Sequence, residues 1–73
     1  MDMQAVSSSN IEAVGFDNHT RIMAVKFKGK SLKVYLYYEM TLDLYRKFLA
    51  APSKGRFFEQ NIKGKFPTQE APR

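Results

Sequence analysis

Seven consecutive residues, Leu32-Lys33-Val34-Tyr35-Leu36-Tyr37-Tyr38, constrain this chain more than any other stretch. Branched and aromatic side chains at this density suit a pleated, half-buried strand. Alternation places Leu32, Val34, Leu36 and Tyr38 on one face and Lys33, Tyr35 and Tyr37 on the other. A soluble monomer needs one apolar face per strand, and this strand has apolar mass on both. The remainder of a 73-residue chain suffices to cover one face only.

Earlier in the chain, Ile11–Phe16 and Arg21–Phe27 read as two further strands. Ile11, Ala13 and Gly15 are expected on one face of the first, and Gly15 is the candidate for a bulge. Asp17-Asn18-His19-Thr20 forms the connecting turn, with Asn18 tolerant of positive φ. Lys28-Gly29-Lys30 is the second hairpin loop, with Gly29 in the left-handed position. After Glu39-Met40 the period changes. Thr41 is the expected N-cap of a helix carrying Leu44, Tyr45 and Phe48 as its buried stripe, and Pro52 stops it. Ser53 caps a second helix with Phe58 and Ile62 one turn apart, ended by Gly64 and Pro67. The expected fold is α+β: a three-stranded antiparallel meander followed by two short helices on one face, β-β-β-α-α. Residues 1–5 and 67–73 are expected to be flexible around a single domain at 6–66. The helices are expected to cover Met23, Val25, Phe27, Tyr35 and Tyr37, leaving Ile22, Ala24, Val34 and Leu36 on the opposite face, with Ile11 and Ala13 beside them.

Composition narrows the chemistry. The chain has no cysteine, one histidine and seven carboxylates, which removes disulfides, thiolate metal sites and thiol nucleophiles. The carboxylates are scattered and give no spaced acid/base pair. Gly29, Gly55 and Gly64 read as turn or helix-end residues, not as a phosphate-binding loop. Catalysis, cofactors and metals are therefore not expected. There is no signal peptide pattern and no apolar run near the ~20 residues that cross a bilayer, so the expected location is the cytoplasm. A chain this short buries roughly 60% of its unfolded surface, so its stability is modest. The net charge of +5 favours an anionic partner.

The order of short motifs resembles the KTSC domain. Ser8-Ser9-Asn10-Ile11, Val14-Gly15-Phe16-Asp17 and Met23-Ala24-Val25-Lys26-Phe27 resemble its opening. Tyr35-Leu36-Tyr37 resembles its central Tyr-x-Tyr, and Ala51-Pro52-Ser53-Lys54-Gly55, followed by Phe57, Phe58 and Ile62, its Ala-x-Ser-x-Gly segment. The resemblance covers about Val6 to Phe66. It implies the same element order and suggests RNA binding, with no enzyme chemistry attached. The chain departs from that pattern at Met40-Thr41, where Val-Pro is common, and at Val34, Leu36 and Tyr38, where polar residues are usual. Those departures favour an apolar contact with protein. Size, charge and sequence are also similar to small bacteriophage transcription regulators that bind bacterial RNA polymerase. That similarity implies the N-terminal segment of the polymerase β′ subunit as partner, with inhibition of initiation and antitermination as outcome. The expected partner-binding residues are Ile22, Ala24, Lys26, Lys28, Lys30, Lys33, Val34 and Leu36, on a chain that is monomeric when free. RNA binding by the basic clusters, with tyrosines as stacking platforms, is the alternative.

Overall fold

A computed structural model describes residues 2–29 and 33–71. Lys30 and the expected strand start at Leu32 lie outside the described residues. The elements run β1 (Gln4–Ala5), β2 (Ile11–Asp17), β3 (Ile22–Phe27), β4 (Val34–Tyr37), α1 (Leu42–Ala50), α2 (Lys54–Asn61) and β5 (Thr68–Glu70). The strands form one antiparallel sheet in the order β1-β2-β3-β4-β5.

The α+β class and the central meander match the sequence expectation, but the strand count does not. Four strands precede the helices and a fifth follows them, so the expected three-stranded sheet is corrected to five. The additional strands lie in the terminal segments. Neither Gln4-Ala5 nor Thr68-Gln69-Glu70 shows apolar alternation, because every one of these side chains is exposed. Backbone hydrogen bonding alone defines them. At the β1 edge, Val6 N–H donates to Glu12 O at 3.2 Å. At the β5 edge, Tyr38 N–H donates to Pro67 O at 2.9 Å and Ala71 N–H to Val34 O at 2.7 Å.

A bulge in β2 sets the sheet's register against the core. Ile11 pairs with Phe27, but Ala13 pairs with the adjacent Lys26. The extra residue between them shifts the alternation. Ile11 and Val14 therefore both point to the helices and are fully buried. The expectation that Ile11 shares a face with Ala13 is thus overturned. Gly15 lies in regular pairing opposite Ala24, so the bulge lies at Glu12/Ala13 and not at the glycine. In the β2–β3 turn, the Asp17 carboxylate accepts from His19 N–H at 2.9 Å, and Arg21, not Asn18, takes the positive φ of 59°. That hydrogen bond from the His19 backbone is the main reason the exposed Asp17 carboxyl titrates below its usual value.

Both helices start as the sequence predicts. Thr41 Oγ1 accepts from Leu44 N–H at 3.1 Å, and Ser53 Oγ from Arg56 N–H at 3.4 Å. Pro52 lies between the helices, and Gly64, with φ of 76°, turns the chain after the second. Both helices cover the same side of the sheet. The core joins Ile11, Val14, Met23, Val25 and Tyr37 to Met40, Phe48, Phe58 and Ile62, with Phe16, Phe27, Tyr35, Leu44 and Tyr45 packed around it. Met23, Val25, Phe27, Tyr35 and Tyr37 thus lie under the helices, as expected. No helix among the described residues is long and apolar enough to cross a membrane.

Candidate functional site

Two surfaces flank β4, one on each side of the sheet. The outer one carries most of the residues expected to bind a partner. Register places Ala24 opposite Leu36 and Lys26 opposite Val34, with Ile22 at the far end of β3. Ala24 is buried between its neighbours, while Ile22, Val34 and Leu36 are half-buried. Tyr38 donates its hydroxyl to Gln69 Oε1 at 3.0 Å across the β4–β5 pair, so this edge of the outer face is polar. Lys26 meets Glu12 at 3.1 Å. The face is therefore a modest apolar strip with charged borders. Neither helix covers it.

The expected lysine cluster divides. Lys26 belongs to the outer face and the exposed Lys28 to the hairpin end. Lys33 does not join them. Its ammonium meets Glu70 at 3.7 Å, and Glu70 faces Tyr35 in the register, on the helix side of the sheet. Lys30 lies outside the described residues. Of the remaining cations, Lys47 and Lys63 pair within their own helix and turn with Asp43 and Glu59. Such exposed pairs contribute little to stability.

The second surface was not anticipated from the sequence. A cleft of about 500 Å³ opens between β4, β5 and α2. Phe27, Tyr35, Tyr37 and Phe58 wall it, and Asn10, Lys63 and Thr68 stand at its rim. The rings meet edge to face: Phe27 and Phe58 at 5.5 Å and 72°, Tyr37 and Phe58 at 5.3 Å and 86°. Burial, with a smaller contribution from Tyr35, pushes the Tyr37 phenol up to about 12. It therefore stays protonated through the physiological range and can serve as a hydrogen-bond donor. The volume falls within the ordinary range for ligand pockets. Sequence reasoning assigned Tyr35 and Tyr37 to the core, and periodicity cannot show that the helix above them leaves a gap.

Beside the cleft, two distant sequence motifs meet. Ser8 Oγ donates to Asn10 Oδ1 at 3.2 Å and accepts from Ile11 N–H at 3.3 Å, closing the turn into β2. Asn10 Oδ1 then lies only 2.6 Å from where a Cβ on Gly55 would stand. The first turn of α2 can approach this loop because residue 55 has no side chain. The sequence signal for this contact is a glycine in the first turn of a helix, which on pattern alone reads as a turn or helix-end residue. His19 is exposed at its turn. Among the described residues, no group of three or more His, Asp or Glu side chains is placed to hold a metal ion.

The family profile of the KTSC domain matches residues 7–66. A protein from Tsukamurella paurometabola is 44% identical over 64 residues, which cover 88% of this chain and 92% of that protein. The crystal structure of a KTSC domain protein from Yersinia pestis has a TM-score of 0.90 and 35% identity, covering 97% of each chain. These likenesses support the KTSC resemblance. They do not support identity with a phage regulator of RNA polymerase.

Proposed function

The chain belongs to the KTSC domain family, and from that premise we propose that it is a small non-catalytic binding module that docks on a protein partner through the outer face of its sheet. The observation that carries this reading is the placement of Ile22, Ala24, Val34 and Leu36 on adjacent strands, with both helices on the other side. An apolar strip bordered by charge is the usual composition of a docking patch, with contact energy in the centre and orientation from the rim. Lys26 and Lys28, on a chain of net charge +5, suit a partner with acidic residues around its own apolar contact. Bacterial RNA polymerase, through the N-terminal segment of β′, is the specific partner proposed, on the resemblance to small bacteriophage regulators alone and without support from the KTSC relatives. Binding there would interfere with promoter engagement and bias elongation against termination.

The test uses purified bacterial core polymerase and the tagged chain. Wild type is expected to co-elute with polymerase, and Val34→Ser with Leu36→Ser to lose at least ten-fold in affinity with an unchanged circular dichroism spectrum. Unchanged affinity in the double variant, or no co-elution of wild type, overturns the reading.

RNA binding is the second reading. Among the described residues, Lys28, Arg46, Arg56 and Lys65 take no part in the ion pairs, which favours a polyanion. Against it, Tyr35 and Tyr37 face α2 and offer no open stacking platform on the outer face. Binding to random RNA that falls steeply with salt would select this reading.

A further inference from the structure

We propose that β5 is a displaceable latch, and that an extended peptide from a partner takes its place on β4, with a large apolar side chain seated in the aromatic cleft and an acidic residue two positions later. This goes beyond the docking reading, because it uses the helix side of the sheet.

Three observations support the proposal. First, β5 is held by its backbone and by two exposed polar side-chain contacts, Tyr38 to Gln69 and Lys33 to Glu70, with no apolar burial. Thr68, Gln69 and Glu70 are all exposed, and the strand contributes nothing to the buried core. Segments with this profile are the first to open in a native protein. Second, β5 does not fill the space beside it. Register puts Thr68 opposite Tyr37 and Glu70 opposite Tyr35, so both face the helix side. Thr68 lines the cleft, but its hydroxyl donates back to Phe66 O at 2.9 Å. A short side chain occupies the one strand position that overlooks four aromatic rings. Third, the edge already accepts an acidic strand residue: Lys33 meets Glu70 at 3.7 Å, whereas Lys63 at the cleft rim is paired with Glu59 and takes no part.

Together these define what the edge accepts. Main-chain pairing with β4 supplies affinity without regard to sequence, and the side chain entering the cleft supplies specificity. The native β5 competes at the high effective concentration of a tethered segment. A partner strand must therefore gain from the cleft what Thr68 forgoes, so the pattern is large apolar, any residue, acidic.

The probe is a synthetic peptide of residues 66–71 carrying Thr68→Phe, compared with the same peptide bearing the native threonine. The receptor is the full chain with Leu36→Cys and Gln69→Cys. These positions face each other across β4 and β5, at the spacing of about 5.5 Å that a disulfide spans. The chain has no native cysteine to interfere. Reduced protein is expected to bind the phenylalanine peptide at least ten-fold more tightly than the threonine peptide, with NMR shifts at Tyr35, Tyr37 and Phe58. Oxidised protein, with β5 locked, is expected to lose that binding. Equal binding by the oxidised and reduced forms, equal affinity for the two peptides, no binding at millimolar peptide, or exchange of β5 between two copies overturns the proposal. If the cysteine pair does not fold, Thr68→Phe in the full chain provides the readout. It is expected to raise the thermal midpoint and exclude the peptide, and a lowered midpoint overturns the proposal. Val34→Ser with Leu36→Ser leaves the cleft intact, so failure of the outer-face reading is scored separately.

Discussion

A methyl group at position 55 would stand 2.6 Å from Asn10 Oδ1, a separation that real side chains do not tolerate. Elsewhere in a helix, glycine to alanine gains about 1 kcal/mol. Here that gain is opposed by displacement of Asn10 from its hydrogen bond with Ser8, worth about the same. Gly55→Ala alone is therefore expected to stay within ~1 kcal/mol of wild type, whereas in an Asn10→Ala background it should stabilise by about 1 kcal/mol. Urea denaturation of the four-member cycle measures the coupling, and strict additivity would mean that the contact carries no energy. Other single-residue features were readable from the sequence. Thr41 and Ser53 cap their helices because a hydroxyl directly before a helical pattern has few other uses. The Asn10–Gly55 contact was not readable, because nothing in a linear pattern states which distant loop a helix touches.

Among the elements, β2 has the most consequence for its length. Its bulge turns Ile11 and Val14, three residues apart, into the same core. Deletion of Ala13 removes the extra residue and leaves Ile11 and Val14 two positions apart, where plain alternation also keeps both under the helices. The expected cost is therefore no more than ~1 kcal/mol, well below the ~3 kcal/mol of truncating a large core residue. Ala13→Gly, which keeps the extra residue, should likewise cost no more than ~1 kcal/mol. A urea series on the two variants checks both, and a loss above ~3 kcal/mol on deletion alone would show that the bulge itself is required. The central strands were legible because Met23, Val25 and Phe27 alternate strictly and Tyr35 and Tyr37 repeat the period. The helices were legible from Phe48, Phe58, Ile62 and Pro52. The bulge was hidden because Ile11-Glu12-Ala13-Val14 also satisfies a plain alternation. The edge strands were hidden because Gln4-Ala5 and Thr68-Gln69-Glu70 bury nothing, and burial is the quantity that periodicity detects. The same limit explains the candidate sites. The outer patch follows from alternation, apart from Lys33, whereas the cleft depends on how far α2 sits from β4.

For the molecule as a whole, the partly buried phenols tie stability to alkaline pH. Tyr37 is pushed up to about 12, chiefly by burial, and burial also raises Tyr45. An unfolded tyrosine titrates near 10. Between these values the folded chain holds protons that the unfolded chain releases, so stability is full below pH ~10 and falls as pH climbs toward 12. Thermal midpoints from pH 8 to 11.5 are expected to decline above 10, with a shallower decline in Tyr37→Phe. Parallel curves for the two proteins would show that Tyr37 does not contribute to the linkage.

Both helices lie on one side of the sheet, so the two sides answer to different pressures. Substitutions beneath the helices must preserve a jigsaw of rings and aliphatic chains. Those on the bare side touch little within the molecule, and most should alter its surface without unfolding it. Lineages sharing this scaffold are thus free to drift toward different recognition habits on one side while the other stays nearly fixed.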